Sequence, residues 1–230
     1  MVDALGSNRE LGTGAVYRRL ARNSAYLAGG TAASALFMML AAVLNARSLS
    51  AREFGLLVLF QSATTMLAVF MSFSTQQPVI KLGSSALAEG DLERLGRIIG
   101  LGLLFDAFAA VVAAAIAFGL LAVGRAWVGI GGDQLGNAAL FAGSLLFTGY
   151  LTANGVFRLL DRFGLLSLVQ AGCAAGLLAA TGWLYASDAP FRAYCWTWAI
   201  FFALNAQLPL IVGLLLARRA GITIRLSTGR

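Results

Sequence analysis

The residue types that carry most enzyme chemistry are scarce in this chain. It contains no His, so imidazole catalysis and His-ligated metal sites are absent. Its two cysteines, Cys173 and Cys195, lie in apolar stretches without C-x-x-C spacing, which is typical of small hydrophobic residues rather than of a redox pair. No catalytic acid pair, nucleophile elbow or phosphate-binding glycine loop occurs. The sequence therefore predicts a protein that is not an enzyme and that holds no metal and no cofactor.

One acidic residue, Asp106, lies deep within an apolar stretch. It is about eight residues, or about 12 Å along a helix, from the nearer end of that stretch. An ionisable group in hydrocarbon is costly and usually serves a function. Asp106 is therefore a candidate site for a coupling ion or proton in a transporter. Pairing with an arginine or with the backbone inside a helix bundle is the alternative, and the sequence leaves both open.

Neutral polar residues recur in other apolar stretches. Such a cluster suits the binding of a hydroxyl-rich group in a cavity, but hydrogen bonds between helices explain it equally well. Pro209 predicts a kink or an unwound turn in its helix. The polar residues concerned are Gln61, Ser62, Thr64, Thr65, Tyr150, Thr152, Asn154, Asn205 and Gln207.

Composition decides the class of protein that must position these residues. Of the 230 residues, 59% are hydrophobic and 12% are charged. A soluble domain has about 45–50% apolar and about 25% charged residues. The sequence therefore predicts an all-α integral membrane protein with six transmembrane helices in one bundle, each a window of about 20 apolar residues. The predicted spans are residues 25–45, 54–74, 98–122, 138–157, 163–185 and 194–217.

The distribution of cationic residues predicts the orientation. Thirteen of the 17 Lys and Arg residues fall in the N-terminal segment, the second and fourth connections and the C-terminal tail. By the positive-inside rule, both termini are cytoplasmic. Trp127, Trp183, Trp196 and Trp198 lie near the span ends assigned to the outer face, which is typical of an interfacial aromatic belt.

The chain is thus predicted to consist of a basic cytoplasmic segment (residues 1–24), a six-helix lobe (25–217) and a basic tail (218–230). Small residues enrich spans one, three and five, and Gly172, Gly176 and Ala180 predict close helix packing or a sliding interface. The long second connection predicts a cytoplasmic surface helix interrupted near Gly90. The net charge of +7 is scattered singly, so membrane lipid and not nucleic acid is the expected partner.

Several segments resemble a known family. The sequence between spans one and two, Ala46-Arg-Ser-Leu-Ser-Ala-Arg-Glu-Phe-Gly55, is similar to the A-R-x-L-x-x-x-x-F-G segment of Wzx-type polysaccharide repeat-unit flippases. These belong to the multidrug/oligosaccharidyl-lipid/polysaccharide exporter superfamily. The start of span one, the stretch beginning at Asp91 and the segment from Phe157 to Gly164 are similar too. The resemblance covers residues 18 to about 217, which correspond to the N-terminal half of such an exporter.

The resemblance implies a flippase that moves undecaprenyl-pyrophosphate-linked oligosaccharide units across the bacterial inner membrane by alternating access. It implies partners of the same pathway, a polysaccharide polymerase and glycosyltransferases, in the synthesis of O-antigen, capsule or exopolysaccharide. Because such exporters carry two lobes of six spans, it also implies a homodimer or a separate second lobe. The substrate-binding residues expected from the resemblance and from the polar pattern are Arg47, Arg52, Gln61, Asn154, Arg158 and Arg162.

Two other functions stay open at this point. A cation-coupled multidrug exporter would depend on Asp106. A non-transporting membrane subunit of a polysaccharide assembly complex would keep its role when Arg47, Arg52 and Asp106 are substituted together. The arginine-bearing segment between spans one and two favours the saccharide exporter, because the guanidinium fork binds phosphate oxygens and stays charged.

Overall fold

A computed structural model describes residues 13–71, 76–128, 131–148 and 151–224, and this part of the chain is helical with no strand. The first 12 residues and the last six residues lie outside it. Six stretches are long and apolar enough to cross a membrane, so the predicted all-α, six-span architecture is confirmed. They are Ser24–Ser48, Ala51–Met71, Leu92–Gly124, Gln134–Leu159, Phe163–Ala186 and Phe191–Arg219.

The helices are named here in chain order. Helix α1 is Thr13–Ser48, α2 is Ala51–Met71, α3 is Gln76–Glu89, α4 is Leu92–Val128, α5 is Gly132–Ser144, α6 is Leu151–Leu159, α7 is Phe163–Ala186 and α8 is Phe191–Arg219.

Helices α1 and α7 form the closest pair, and they run parallel. Gly30 packs on Ser167 near the start of α7, and Leu44 approaches Gly182 near its end. The two contacts have almost the same offset in sequence, so the pair keeps its register over about four turns. Spans one and five must therefore cross the membrane in the same direction, as the predicted six-span threading requires.

The connection between α1 and α2 is short and capped. Ser50 precedes α2, and the Glu53 carboxylate accepts hydrogen bonds from both the Ser50 backbone N–H at 3.0 Å and the Ser50 hydroxyl at 2.6 Å. The Ser50 hydroxyl in turn accepts from the Glu53 N–H at 3.4 Å. This reciprocal capping box satisfies the backbone donors that open a helix.

The fourth span is not a single α-helix. Helix α5 ends at Ser144, a 3-10 turn follows at Leu145–Phe147, and the next described helix, α6, is Leu151–Leu159. The span predicted at residues 138–157 is therefore found, and the 3-10 turn interrupts its α-helix, which the sequence did not predict. We call residues 145–148 the break.

Helix α3, the C-terminal end of α6 and the start of α4 pack together at one end of the lobe. Gly83 of α3 lies against Leu159, and the segment after α8 folds back so that Thr223 lies against Gly96. Gly90 adopts φ +73° between α3 and α4, so the predicted interruption of the second connection is found there. We call this the basic end, because the positive-inside rule assigns it to the cytoplasm. The cations at this end whose side chains the structure describes are Lys81, Arg94, Arg97, Arg158, Arg162, Arg218 and Arg219.

Aromatic packing dominates the opposite end. Trp198 is 4% exposed and contacts Phe201 edge-to-face, with ring centroids 5.6 Å apart. It is therefore a core residue and not the belt residue that the sequence suggested. Trp183 and Trp196 are 70% and 46% exposed, as an interfacial belt requires. The Trp127 side chain lies outside the described residues.

Two further predictions need correction. A β-carbon added at Gly172 or Gly176 would meet nothing within 4 Å, so the G-x-x-x-G step does not pack inside the lobe. The buried face of α7 instead carries Ser167, Ala174 and Thr181. Pro209 is buried within a continuous α8, so the unwound turn is not found, and the kink stays a prediction.

Candidate functional site

A cavity of about 350 Å³ lies between the helices at mid-depth of the lobe. It is bounded by α1, α2, α4, the break, the start of α6, α7 and α8, so each of the six spans contributes to its wall. Asp106 of α4, Thr148 of the break and Leu151 of α6 share one side of it. Asp106 and the interrupted part of the fourth span therefore meet at this cavity.

The polar groups of the cavity wall are mostly neutral. Hydroxyls come from α1, α2 and the break, and carboxamides come from α7 and α8. Among the described lining residues, Asp106 is the charged one and no Lys or Arg is present. The neutral polar lining residues are Thr31, Ser34, Thr64, Thr65, Thr148, Gln170 and Asn205. Such a wall can hydrogen-bond a hydroxylated group and can attract a cation, but it does not favour an anion.

Asp106 of α4 forms a hydrogen bond with the backbone of the fourth span. Its side chain is 6% exposed, and its Oδ2 accepts a hydrogen bond from the Thr152 backbone N–H at 2.8 Å. Thr152 lies in the first turn of α6, where backbone N–H groups have no partner within the helix. A carboxylate at this position also interacts favourably with the positive end of the helix dipole. Of the two interpretations of Asp106, pairing with backbone is thus observed, and a place in the cavity wall is observed as well.

Gln207 of α8 forms a hydrogen bond with the backbone of the break. Its Nε2 donates a hydrogen bond to the Phe147 carbonyl oxygen at 2.8 Å. In hydrocarbon, carbonyls released by an interrupted helix must find a partner in protein or water. The two side chains, from separate helices, therefore satisfy one acceptor in the break and one donor after it.

Helix α6 is held tightly on three sides. A β-carbon on Gly102 of α4 would lie 2.6 Å from Thr152 Oγ1, and one on Gly155 of α6 would lie 2.9 Å from Val79 of α3. Gly213 of α8 contacts Ala153. Five of the nine residues of α6 are buried. The close packing of α6 therefore requires glycine at these contacts. This packing fixes the position of α6 relative to the cavity.

The arginines expected to bind substrate do not meet in the structure. Arg47 and Arg52 are exposed at the end of α1 and the start of α2, whereas Arg158 and Arg162 are exposed at the end of α6 and just before α7. The parallel α1–α7 pair separates these two positions by about 30 Å of helix. None of the four lines the central cavity. Their role in substrate binding stays a prediction.

The two neutral residues predicted for substrate binding, Gln61 and Asn154, do not line the central cavity. Gln61 lies on the outer face of α2 with Ser62 and Thr65, and Thr65 also lines the cavity. Asn154 lies on α6, where its Oδ1 is buried without a hydrogen-bond partner among the described residues. Tyr150, another polar residue of the predicted cluster, lies outside the described residues.

Four polar cavity residues were not expected from the sequence. They are Thr31 and Ser34 of α1, Thr148 of the break and Gln170 of α7. Their polar types in apolar spans were the available signal. The face of the helix that each occupies was not, because it depends on how the helices pack.

The fold and the site together define a polytopic, all-α membrane protein with a polar cavity at a broken span. Over 155 residues, the chain is 28% identical to the inner membrane protein YghQ of Escherichia coli K12. The match covers 67% of this chain and 44% of that protein, so the chain spans less than half the length of this relative. No protein family and no solved structure matches the chain. The chain is a multi-pass protein of the bacterial inner membrane.

Proposed function

We propose that this protein is a lobe of a flippase-type transporter that moves undecaprenyl-pyrophosphate-linked oligosaccharide units across the inner membrane for surface polysaccharide synthesis. The observation that carries the proposal is the polar cavity beside an interrupted span whose free backbone groups are hydrogen-bonded by Asp106 and Gln207. Transport proteins commonly place their binding sites near the middle of the membrane where helices are discontinuous. A six-helix bundle with a purely structural role needs neither the cavity nor the break.

The lining chemistry supports the saccharide end of this substrate. Sugar hydroxyls both donate and accept hydrogen bonds, and the wall offers hydroxyls and carboxamides that do the same. Phe201 and Phe202 add apolar surface for the faces of sugar rings. The pyrophosphate does not suit the cavity, because the wall carries a carboxylate and no described cation. We assign the pyrophosphate contacts to the two arginine pairs outside this cavity in turn, first to Arg158 and Arg162 at the basic end and then to Arg47 and Arg52 at the opposite end.

A strain that lacks the gene tests the proposal. We expect lipid-linked repeat units to accumulate on the cytoplasmic leaflet and surface polysaccharide to fall. Complementation with Ala109→Phe, which fills the cavity wall one turn from Asp106, should fail. Ala115→Phe is the matched control, because Ala115 is exposed on the same helix and lies outside the cavity. Normal surface polysaccharide in the deletion strain contradicts the proposal.

A second candidate function is a cation-coupled multidrug exporter. The specific observation that favours it is the buried carboxylate of Asp106 in a cavity wall without a described Lys or Arg. An Asp106→Asn variant of such an exporter should lose ion-dependent efflux while its polysaccharide phenotype stays normal. If the protein is a saccharide flippase, the Asp106→Asn variant should instead reduce surface polysaccharide more than it reduces ion-dependent efflux.

The partners proposed with this function are a second lobe and the polymerase and glycosyltransferases of the pathway. The cavity is flanked by α1 and α2, which pack little against each other. The outer face of α2 presents Gln61, Ser62 and Thr65, and polar groups on a spanning helix are costly against lipid. A second copy of the chain or a separate lobe on this side would cover them.

A further inference from the structure

A second concave surface lies at the basic end, remote from the central cavity. It has a volume of about 330 Å³ and runs between α3 and the C-terminal end of α6. We call it the α3–α6 groove. Its lining residues are Ile80, Ser84, Leu87, Ala88, Arg158 and Leu159.

The groove wall follows from the helical period. Ile80, Ser84, Leu87 and Ala88 recur at intervals of four, three and one residues, so they form one stripe along α3. Gly83, on the adjoining face, lets α3 approach Leu159 closely and sets the width of the groove. The stripe is apolar apart from one hydroxyl. It therefore offers a hydrocarbon-like wall that is open to its surroundings.

Arg158 is the one charged residue among the described residues that line the groove. It is exposed, and it directly follows the buried Gly155, Val156 and Phe157 of α6. The Ser84 hydroxyl donates to the Lys81 carbonyl oxygen at 3.0 Å, so it offers its lone pairs and not its proton. Arg158 is thus the group in the groove that can donate several hydrogen bonds to an anion.

The acidic residue nearest to the groove on α3 is already engaged. Glu89 forms an ion pair with Arg94 at 2.9 Å and accepts a hydrogen bond from the Ser85 hydroxyl at 2.8 Å. Among the side chains that the structure describes at the basic end, seven are cationic and four are acidic, so the local field is positive. The four acids are Glu89, Asp91, Glu93 and Asp161.

We propose that the α3–α6 groove binds an anionic phospholipid of the cytoplasmic leaflet. The phosphodiester lies against the Arg158 guanidinium, and the start of an acyl chain lies along Ile80, Leu87 and Leu159. The basic end lies at the membrane surface by the positive-inside rule, where anionic headgroups and acyl chains are both within reach. An apolar wall beside a single cation fits an amphiphile better than a free phosphate, which would leave the wall exposed to water. Arg158 is also one of the arginines to which the proposed function assigns the pyrophosphate, but lipid binding to the groove is measured without transport and stands if the transport proposal fails.

Lipid binding to the purified chain in detergent micelles tests the proposal. Native mass spectrometry would compare dioleoyl phosphatidylglycerol with dioleoyl phosphatidylcholine at equal concentrations. One juxtamembrane arginine contributes enough for about a fivefold change in affinity. We therefore expect Arg158→Gln to reduce phosphatidylglycerol binding about fivefold and to leave phosphatidylcholine binding unchanged. Arg192→Gln is the matched control, because Arg192 is an exposed arginine at the opposite end.

A second variant tests the apolar wall separately. Ala88→Phe fills the groove from an exposed position of α3 and keeps Arg158, so it should also reduce phosphatidylglycerol binding. Equal losses in Arg158→Gln and Arg192→Gln would overturn the proposal, as would full binding in Ala88→Phe. Displacement of the lipid by inorganic phosphate at equal concentration would assign the groove to a soluble anion and overturn it too.

Discussion

At the residue scale, the Asp106 side chain has two structural roles. Its carboxylate caps the N-terminus of α6 through the Thr152 N–H, and it also lines the central cavity. The sequence alone identified Asp106 as costly in the membrane, because a lone acid in an apolar stretch is a local feature. It did not identify the partner, because Thr152 is 46 residues away and the break before α6 has no sequence signal.

The hydrogen bond between Asp106 and the Thr152 N–H leads to a prediction about stability. Asparagine at position 106 keeps an oxygen acceptor for the Thr152 N–H, whereas leucine removes it. We expect Asp106→Leu to lower the free energy of unfolding by about 1–2 kcal/mol and Asp106→Asn to lower it by less than half of that. Thermal unfolding of the purified variants in one detergent measures the difference. Equal stability of the leucine variant and the wild type would show that the cap contributes nothing.

The hydrogen bond between Gln207 and the fourth span should contribute less to stability than the one made by Asp106. Gln207→Leu leaves the Phe147 carbonyl without its donor, but this acceptor carries no charge. Side-chain hydrogen bonds within membranes average about 0.6 kcal/mol. We expect a correspondingly small loss of thermal stability and a larger loss of polysaccharide export, because the break borders the cavity. Asn137→Leu, which removes a local bond to Gln134, is the control and should leave export unchanged.

At the element scale, the lobe is organised by glycine contacts rather than by the most obvious small-residue pattern. The G-x-x-x-G step of α7 faces outward, whereas the close contacts are made by single glycines such as Gly30, Gly96 and Gly102. Composition and periodicity sufficed to predict six helices, since each is long and apolar. They could not predict which face of each helix packs, because in lipid both faces are apolar. The broken fourth span was missed for a different reason, because the 3-10 turn at Leu145–Phe147 has no signal in the sequence.

Two adjacent glycines of α1 provide a matched test of the α1–α7 contact. A β-carbon on Gly30 would lie 2.5 Å from the Ser167 β-carbon, whereas one on Gly29 meets nothing within 4 Å. Gly30→Ala should therefore force the helices apart and cost about 1–3 kcal/mol. Gly29→Ala should be neutral or slightly stabilising, because alanine favours the helix. Thermal unfolding of the two variants checks this, and equal behaviour would contradict the observed register.

At the scale of the whole molecule, the two ends of the lobe differ in character. The basic end collects seven described cations and a surface helix, and the opposite end carries two exposed tryptophans. The charge bias predicts the orientation in the membrane, and the tryptophans are typical of a membrane–water interface at the opposite end. The charge bias was available from the sequence because it depends only on counting residues in connections.

Cysteine labelling in intact cells tests this orientation. In a background with Cys173→Ala and Cys195→Ala, Ser85→Cys marks the basic end and Ser187→Cys marks the opposite end, and both serines are exposed. A membrane-impermeant maleimide should label Ser187→Cys in intact cells and Ser85→Cys only after permeabilisation. The reverse pattern would place the α3–α6 groove in the outer leaflet and both termini outside.

The open side of the lobe leads to the last prediction. The outer face of α2 carries Gln61, Ser62 and Thr65 beside the central cavity, and lipid cannot satisfy these groups. If a second copy covers this face, Ser62→Cys in the cysteine-free background should be joined into dimers by a short bismaleimide in native membranes. Leu215→Cys, which is 51% exposed on α8, is the control and should stay monomeric. Cross-linking of Ser62→Cys to a different membrane protein would instead assign the cover to a separate lobe, whereas equal dimer yields at both positions would show that this face has no special role in assembly.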